Sequence, residues 1–155
     1  MGSNKAGVSL GSIKVNIKKL TPEATTPTYA KEGDAGMDLT ATSVKETDMY
    51  VEYGTGLAFE LPEGFVGLLF QRSSVSKYNL SLANAVGVLD SGYRGEVSFR
   101  FKKTYQSPPY IHKRYEIGDK IGQIMIIPYP KVEFTVTEQL LDSERGTGGY
   151  GSSGV

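Results

Sequence analysis

The sequence predicts an all-β protein, and three observations support this prediction. Apolar and polar residues alternate with a period of two, as in half-buried strands, along Ile13–Lys18, Leu57–Leu61, Val97–Lys102 and Val132–Thr137. Two nearly continuous apolar runs predict central strands buried on both faces, at Phe65–Phe70 and Ile121–Ile127. Turn-forming residues separate these segments, at Pro62–Gly64, Asp90–Gly92 and Gly118–Asp119.

Helical patterning is nearly absent. Only Ser73–Tyr78 predicts a short helix, with Ser73 or Ser74 as its N-cap. Many short strands separated by turns indicate a sandwich, a jelly roll or a barrel, and the pattern alone does not choose among them. The 155 residues are enough for one domain. We expect this domain at 13–142, between a flexible N-terminal tail (1–12) and a flexible, Gly- and Ser-rich C-terminal tail (143–155).

Composition excludes several kinds of site and partner. The chain has no Cys, which excludes disulfides, thiolate catalysis and Cys-ligated zinc. Its one His, His112, argues against a His-ligated metal centre and is expected on the surface, whereas a hard cation held by oxygen atoms stays open. The zero net charge argues against a nucleic-acid partner, and no apolar run is long enough for a membrane span. We therefore expect a cytoplasmic protein, or a nuclear or organellar one if the source is eukaryotic, and the sequence does not choose among these compartments.

The C-terminal segment Arg145–Gly154 combines four Gly residues in its last seven positions with Ser and Thr hydroxyl groups. Backbone N–H groups and hydroxyls of such a segment can surround phosphate oxygens. Arg145 adds a guanidinium that can bind phosphate through two hydrogen bonds. A disordered tail is the alternative, and composition alone favours it.

Five segments of the chain carry a family resemblance, namely Ala35–Leu39, Arg72–Ser74, Gly87–Gly95, Gly118–Gln123 and Arg145–Gly154. In order and spacing they resemble the five motifs of the trimeric dUTPase family, and the resemblance extends from about Ile13 to Gly154. It implies a distorted jelly-roll β-barrel with one short helix, assembled as a homotrimer. It also implies Mg²⁺-dependent hydrolysis of dUTP to dUMP and pyrophosphate, which limits uracil incorporation into DNA and supplies dUMP.

The third segment holds the residue to which the resemblance assigns catalysis. Asp90 would orient and deprotonate the attacking water, although on the residues alone an Asp that stabilises its own turn is the simpler interpretation. Tyr93 would pack beneath the deoxyribose and leave no room for a 2′-hydroxyl; a cross-strand aromatic is the alternative. The backbone from Asn84 to Val88, interpreted as a hairpin, would read the uracil edge.

The other segments would hold the triphosphate and the metal ion. The resemblance assigns phosphate contacts to Arg72 and Ser73, and Ser74 departs from the usual Arg-Ser-Gly. Gln123 would contact phosphate, although a hydrogen bond in the core is a rival interpretation. Asp38 would support Mg²⁺ through a bound water, with Asp34 as a helper. The tail would close over the nucleotide, with Tyr150 stacked on the uracil and further substrate contacts from Arg145, Gly149, Ser152 and Ser153.

Two alternatives compete with this interpretation. A dCTP deaminase shares the fold and an Arg-Ser-Ser motif, but it requires a Glu proton shuttle where this chain has Arg100. A non-catalytic module would bind nucleotide or a regulatory protein without turnover, against which Asp90 and the intact tail argue. Regulatory protein partners are left open by the sequence.

Overall fold

A computed structural model describes residues 11–104 and 113–149 of the chain. Within these ranges the chain forms ten strands and one short 3₁₀ helix, Ser73–Lys77. The strands are β1 Asn16–Lys19, β2 Met37–Thr40, β3 Ser43–Glu46, β4 Val51–Gly54, β5 Leu57–Glu60, β6 Phe65–Phe70, β7 Leu80–Leu82, β8 Gly87–Leu89, β9 Ser98–Lys103 and β10 Lys120–Pro128. The all-β prediction with one short helix is therefore confirmed.

Two four-stranded antiparallel sheets make up most of the fold. One has the strand order β2-β10-β6-β8 and the other has the order β3-β4-β9-β7. A two-stranded ribbon of β1 and β5 completes the topology. This arrangement is jelly-roll-like, although the sheets do not close into a continuous barrel within the described residues.

The core lies between the two sheets because each contributes one apolar face. Leu39, Leu69 and Ile124 come from the first sheet, and Tyr53 and Phe101 come from the second. The Tyr53 hydroxyl is satisfied by donating to the Tyr115 carbonyl at 2.9 Å, which meets the requirement that buried polar groups be paired.

Two predictions about the strands are wrong. The segment Val132–Thr137 has the alternation of a strand but forms none, because no other strand in the described part of the chain pairs with it; the Val136 side chain is 99% exposed. The apolar runs of β6 and β10 are buried on one face only. Their other faces are half-exposed, as at Leu68 and Phe70.

Two local predictions are also corrected. The short helix begins after Arg72, which is its N-cap residue in extended conformation, and neither Ser73 nor Ser74 caps it through its side chain. The segment Asn84–Val88 is not a hairpin. β7 pairs with β9 and β8 pairs with β6, so this segment carries the chain from one sheet to the other.

In the ranges that the structure describes, none of the helices has the length and apolar character needed to cross a bilayer.

Candidate active site

Asp90 lies directly after β8, at the mouth of a cavity of about 200 Å³ that Tyr93, Asn84 and Val88 also line. The turn that follows is closed by the backbone, since the Tyr93 N–H donates to the Asp90 carbonyl at 3.1 Å. The Asp90 side chain is exposed, and it forms no hydrogen bond or ion pair with any residue of the described ranges. The turn therefore does not need this carboxylate, which leaves it free to act on a ligand.

The Tyr93 ring is held at one wall of the same cavity. Its hydroxyl donates to the Glu96 carbonyl at 3.2 Å. Gly95 makes room for it, because a Cβ atom at that position would collide with the Tyr93 hydroxyl and ring. Tyr93 is thus fixed by its own turn, and about half of its surface stays exposed.

The crossing segment before β8 carries backbone strain. Ala85 has φ of 58°, the one positive φ outside Gly in the described residues. A left-handed conformation is unfavourable for a residue with a Cβ atom. The backbone bonds Ala85 N–H to Leu82 carbonyl (3.2 Å) and Val86 N–H to Asn84 carbonyl (2.6 Å) hold this bend.

A second cavity, of about 460 Å³, lies beside the Arg72 side chain. Arg72 Nε donates to Asp38 Oδ1 at 2.9 Å, and Lys120 Nζ lies 3.1 Å from Asp38 Oδ2. Both oxygens of this carboxylate are therefore paired with cations, and Asp38 holds the arginine at the cavity wall. Asp34 lines the same cavity, and its carboxylate accepts the Lys31 N–H at 2.9 Å.

Gln123 joins this second cavity from β10, where it lies in register with Asp38 on one side and Phe70 on the other. Its side-chain amide donates to the Gln71 carbonyl at 3.3 Å. Gly36 allows this arrangement, because a Cβ atom there would collide with the Gln123 side-chain oxygen. The hydrogen bond expected of a core glutamine is present, and the side chain still faces the cavity.

Among the described residues, the remaining predicted ones do not line either cavity. Ser73 is exposed at the start of the 3₁₀ helix, and Ser74 is half-buried beside Arg72. Arg145 donates to the Gly148 carbonyl at 3.0 Å within its own tail, and Gly149 is half-buried. The residues Tyr150, Ser152 and Ser153 lie outside the described residues, as does His112.

The two cavities lie far apart within one chain. In the sheet with the order β2-β10-β6-β8, Leu89 on β8 is in register with Gly67 of β6. Asp38 on β2 lies three strands away from Leu89 and is level with Phe70 of β6. With strands about 4.8 Å apart and residues about 3.4 Å apart along a strand, this separation is roughly 17 Å. Within one chain the predicted site residues are therefore divided between two separate cavities, which we term the Asp90 half-site and the Arg72 half-site.

Comparison with known proteins assigns the family. The family model of the dUTPases matches residues 22–154. A deoxyuridine 5′-triphosphate nucleotidohydrolase of Desulfitobacterium hafniense is 42% identical over 156 aligned positions, which cover 94% of this chain and 99% of that protein.

The chain belongs to the dUTPase family.

Solved structures of other dUTPases agree with this assignment. The dUTPase of Staphylococcus bacteriophage 80alpha, solved with dUpNHpp, has a TM-score of 0.78 and 29% identity over 93% of this chain and 100% of that one. A mutant dUTPase from phage phi11 of S. aureus, described for its coordination of a structural Mg(II) ion, has a TM-score of 0.68 and 27% identity. It covers 82% of this chain and 98% of the phage chain.

Sequence reasoning missed two residues that contact the predicted site residues Asp38 and Gln123. Lys120 pairs with Asp38. The backbone carbonyl of Gln71 accepts a hydrogen bond from the Gln123 side chain, and the side-chain oxygen of Gln71 accepts one from the Leu82 N–H at 3.1 Å. Lys120 lies within a recognised motif, so its charge next to Gly118–Asp119 was an available signal. No signal pointed to Gln71, because its partners are distant in sequence.

Proposed function

We propose that this chain hydrolyses dUTP to dUMP and pyrophosphate in a homotrimer whose active sites are shared between subunits. The observation that carries this proposal is the free Asp90 carboxylate beside Tyr93 in a chain of the dUTPase family. The nucleotidohydrolase name of the Desulfitobacterium relative and the dUpNHpp bound by the phage enzyme support the substrate class.

Asp90 acts as the general base of the reaction. Its carboxylate accepts a proton from a water molecule, and the oxygen of that water attacks the α-phosphorus in line with the bond to the bridging oxygen. That bond breaks, the electron pair leaves with pyrophosphate, and dUMP retains the new oxygen. An exposed carboxylate without a competing protein partner suits this role, because the water can hydrogen-bond to it directly.

The Arg72 half-site holds the triphosphate. Arg72 is the charged donor, and its bond to Asp38 fixes the guanidinium in one orientation, which lowers the entropy lost when it binds an anion. Ser73 and Gln123 lie at the same end of the sheet and add neutral donors, with Ser74 next to Arg72. Arg145, Gly149, Ser152 and Ser153 of the tail complete the enclosure of the phosphates, and Tyr150 covers the uracil.

The donor set fits a Mg²⁺ ion bound mainly by substrate and water. Among residues 11–104 and 113–149 no cluster of three acidic, His or Cys side chains could hold a metal by itself. Asp34 and Asp38 are carboxylates of the Arg72 cavity, and both oxygens of Asp38 are already paired. Asp38 would therefore reach Mg²⁺ through a bound water, as is common for this ion. When bound, Mg²⁺ offsets negative charge on the triphosphate oxygens.

Substrate selection belongs to the Asp90 half-site. The crossing segment Asn84–Val88 offers backbone groups whose positions are fixed by two different sheets. Rigid polar groups discriminate between bases, because an incorrect base leaves them unpaired. Tyr93 supplies the bulk beneath the sugar that excludes a 2′-hydroxyl.

The separation of the half-sites supports shared active sites. Adjacent phosphates of a triphosphate share one oxygen, so a base at the α-phosphorus and an arginine on the following phosphates have to be close neighbours. Leu89, next to Asp90, and Asp38, the partner of Arg72, are roughly 17 Å apart in one chain, which is too far for this, whereas Asp90 of one subunit can meet Arg72 of another in a closed ring. The segment that follows β10 exposes apolar side chains, such as Phe134 and Val136. Such exposure further supports a surface that a second copy of the chain covers.

The proposal is tested by incubating the protein with Mg²⁺ and each of dUTP, dTTP, dCTP and UTP, followed by separation of the products. We expect rapid conversion of dUTP to dUMP and pyrophosphate and little turnover of the other nucleotides. Comparable rates on UTP would contradict the proposed selection, and ammonia release from dCTP would identify a deaminase instead. Against that outcome, the position has Arg100, whose guanidinium does not give up its proton in proteins and is held by Glu52 at 3.1 Å and over the Tyr50 ring.

A further inference from the structure

Tyr93 stands in a wall between two cavities. On one side is the cavity of about 200 Å³ at whose mouth Asp90 lies. On the other side is a polar cavity of about 500 Å³, which residues of β3, β4 and β9 line. Tyr93, Glu96 and Ser98 line both cavities. Because open space lies behind the Tyr93 ring, the ring can exclude a 2′-hydroxyl only if something prevents it from moving into that space.

The ring is supported by the backbone that ends its own turn. The Tyr93 hydroxyl donates to the Glu96 carbonyl at 3.2 Å. The ring also lies against Gly95, where a Cβ atom would collide with ring carbons as well as with the hydroxyl. Within the described ranges, residues 94–96 form no hydrogen bonds between backbone groups. The support of the ring therefore depends on what side chains do for this stretch.

The Glu96 side chain ties this stretch to the second sheet. Its Oε1 accepts the Gly56 N–H at 2.8 Å. Gly56 lies in the short connection between β4 and β5, where its φ is 66°. A Cβ atom at Gly54 would stand 2.5 Å from the same Glu96 oxygen. The carboxylate thus occupies a space that exists because position 54 carries no side chain.

We propose that Glu96 is a positioning residue that sets the place of the Tyr93 ring and thereby the preference for deoxyribose over ribose. This inference rests on the proposed function, in which Tyr93 excludes a 2′-hydroxyl. The Glu96 side chain holds its own backbone and that of Gly95 against the connection between β4 and β5. That backbone keeps the ring from yielding into the larger cavity. The role requires an oxygen that accepts a hydrogen bond, and it does not require negative charge.

Glu96→Ala removes this acceptor and should weaken sugar selection. The preference for dUTP over UTP should fall roughly 3- to 5-fold, which corresponds to the loss of about one neutral hydrogen bond. The fall should come mainly from a higher kcat/KM for UTP, because a ring that yields admits the 2′-hydroxyl. Glu96→Gln retains a side-chain oxygen for the Gly56 N–H and should keep the preference of the wild type.

Gly54→Ala reaches Glu96 without touching Tyr93. The added Cβ atom displaces the Glu96 carboxylate from its place beside the Gly56 N–H, so the preference should fall as it does in Glu96→Ala. Combining Gly54→Ala with Glu96→Ala should cause no further fall, since both changes remove the same bond.

Glu52→Ala is the matched control. Glu52 is a second glutamate of the larger cavity, and its carboxylate accepts from Ser98 at 2.9 Å and from Arg100 at 3.1 Å. In the described residues these bonds lead to β9 and not to the stretch that supports Tyr93. Glu52→Ala should therefore leave the preference unchanged even if the melting temperature falls.

A double variant shows whether Glu96 acts through Tyr93. In the Tyr93→Ala background the ring is already absent, so adding Glu96→Ala should not lower the preference further. A further fall would mean that Glu96 reads the sugar independently, and it would overturn the positioning role.

The experiment measures competition between dUTP and UTP, together with the melting temperature, for the full chain and these variants. An unchanged preference in both Glu96→Ala and Gly54→Ala would overturn the inference, and a lower melting temperature alone would assign Glu96 a purely structural role. Equal losses in Glu96→Gln and Glu96→Ala, or a loss in Glu52→Ala, would also overturn it. If Glu96→Ala does not fold, Gly54→Ala decides. A wild type that does not hydrolyse dUTP would overturn the proposed function, and this inference with it.

Discussion

The two half-sites differ in how their charges are held. At the Arg72 end, Asp38 is paired with both Arg72 and Lys120, so these three charges are paired before substrate arrives. At the other end, the Asp90 carboxylate has no partner within the described ranges and sits on a turn that a backbone hydrogen bond closes. A binding region gains from fixed charges, whereas a general base has to keep its oxygens free. The difference fits the proposed division, in which one end binds the triphosphate and the other transfers the proton.

Asp90→Asn tests the catalytic side of this comparison and should have the largest effect. The change is nearly isosteric and removes the base, so kcat should fall by roughly 10²–10⁴-fold. Nucleotide binding should persist, and the free energy of unfolding should change by less than about 0.5 kcal/mol because the side chain makes no bond in the fold.

Steady-state kinetics and chemical denaturation measure these quantities. Asp48→Asn, in the exposed turn between β3 and β4, is the control and should leave both unchanged. Near-normal turnover of Asp90→Asn would return Asp90 to the role of a turn residue.

Tyr93→Ala tests whether the Asp90 end also selects the sugar. Loss of the ring should lower the preference for dUTP over UTP roughly tenfold, because exclusion by volume requires the side chain. Tyr93→Phe should retain the preference. Tyr129→Ala is a control with the same exposed fraction, 48%. Competition kinetics with both nucleotides measure the ratio, and a ratio that does not respond to Tyr93→Ala would assign sugar selection to another group.

Ala85→Gly tests the strain at the Asp90 end and should have the smallest effect. Gly adopts positive φ freely, so the free energy of unfolding should rise by about 0.5–1 kcal/mol. Ala83→Gly, in the same segment without positive φ, should lower it by a similar amount. Urea denaturation measures whether each variant raises or lowers the free energy of unfolding. A loss of stability in both variants would show that Ala85 is not strained.

The fold was predictable from the sequence where the local pattern decides the structure. The apolar run Phe65–Phe70 matches β6 residue for residue, and the alternations near Leu57 and Val97 mark β5 and β9. The alternation of Val132–Thr137 failed as a predictor because a strand also needs a partner. The short strands β3 and β4 were missed, since four residues with exposed or mixed faces give little periodicity.

The site was predictable only as a set of residues. The family resemblance indicated Asp38, Arg72 and Gln123, but not that Lys120 shares Asp38 or that Gln71 accepts from Gln123. Those contacts depend on the pairing of β10 with β2 and β6, which joins segments more than fifty residues apart. The crossing at Asn84–Val88 was mistaken for a hairpin for the same reason: the partners of β7 and β8 are distant strands.

The most direct test of the account asks whether one active site combines Asp90 and Arg72 of different subunits. Asp90→Asn and Arg72→Ala variants, each of low activity alone, are unfolded, mixed equally and refolded, and mixed oligomers are verified by mass. If the two residues come from different chains, about a quarter of the sites should recover both, by symmetry counting, and activity should rise to about a quarter of wild type. Activity that stays at the level of the separate variants would contradict the account, because it would place both residues in the same chain's site.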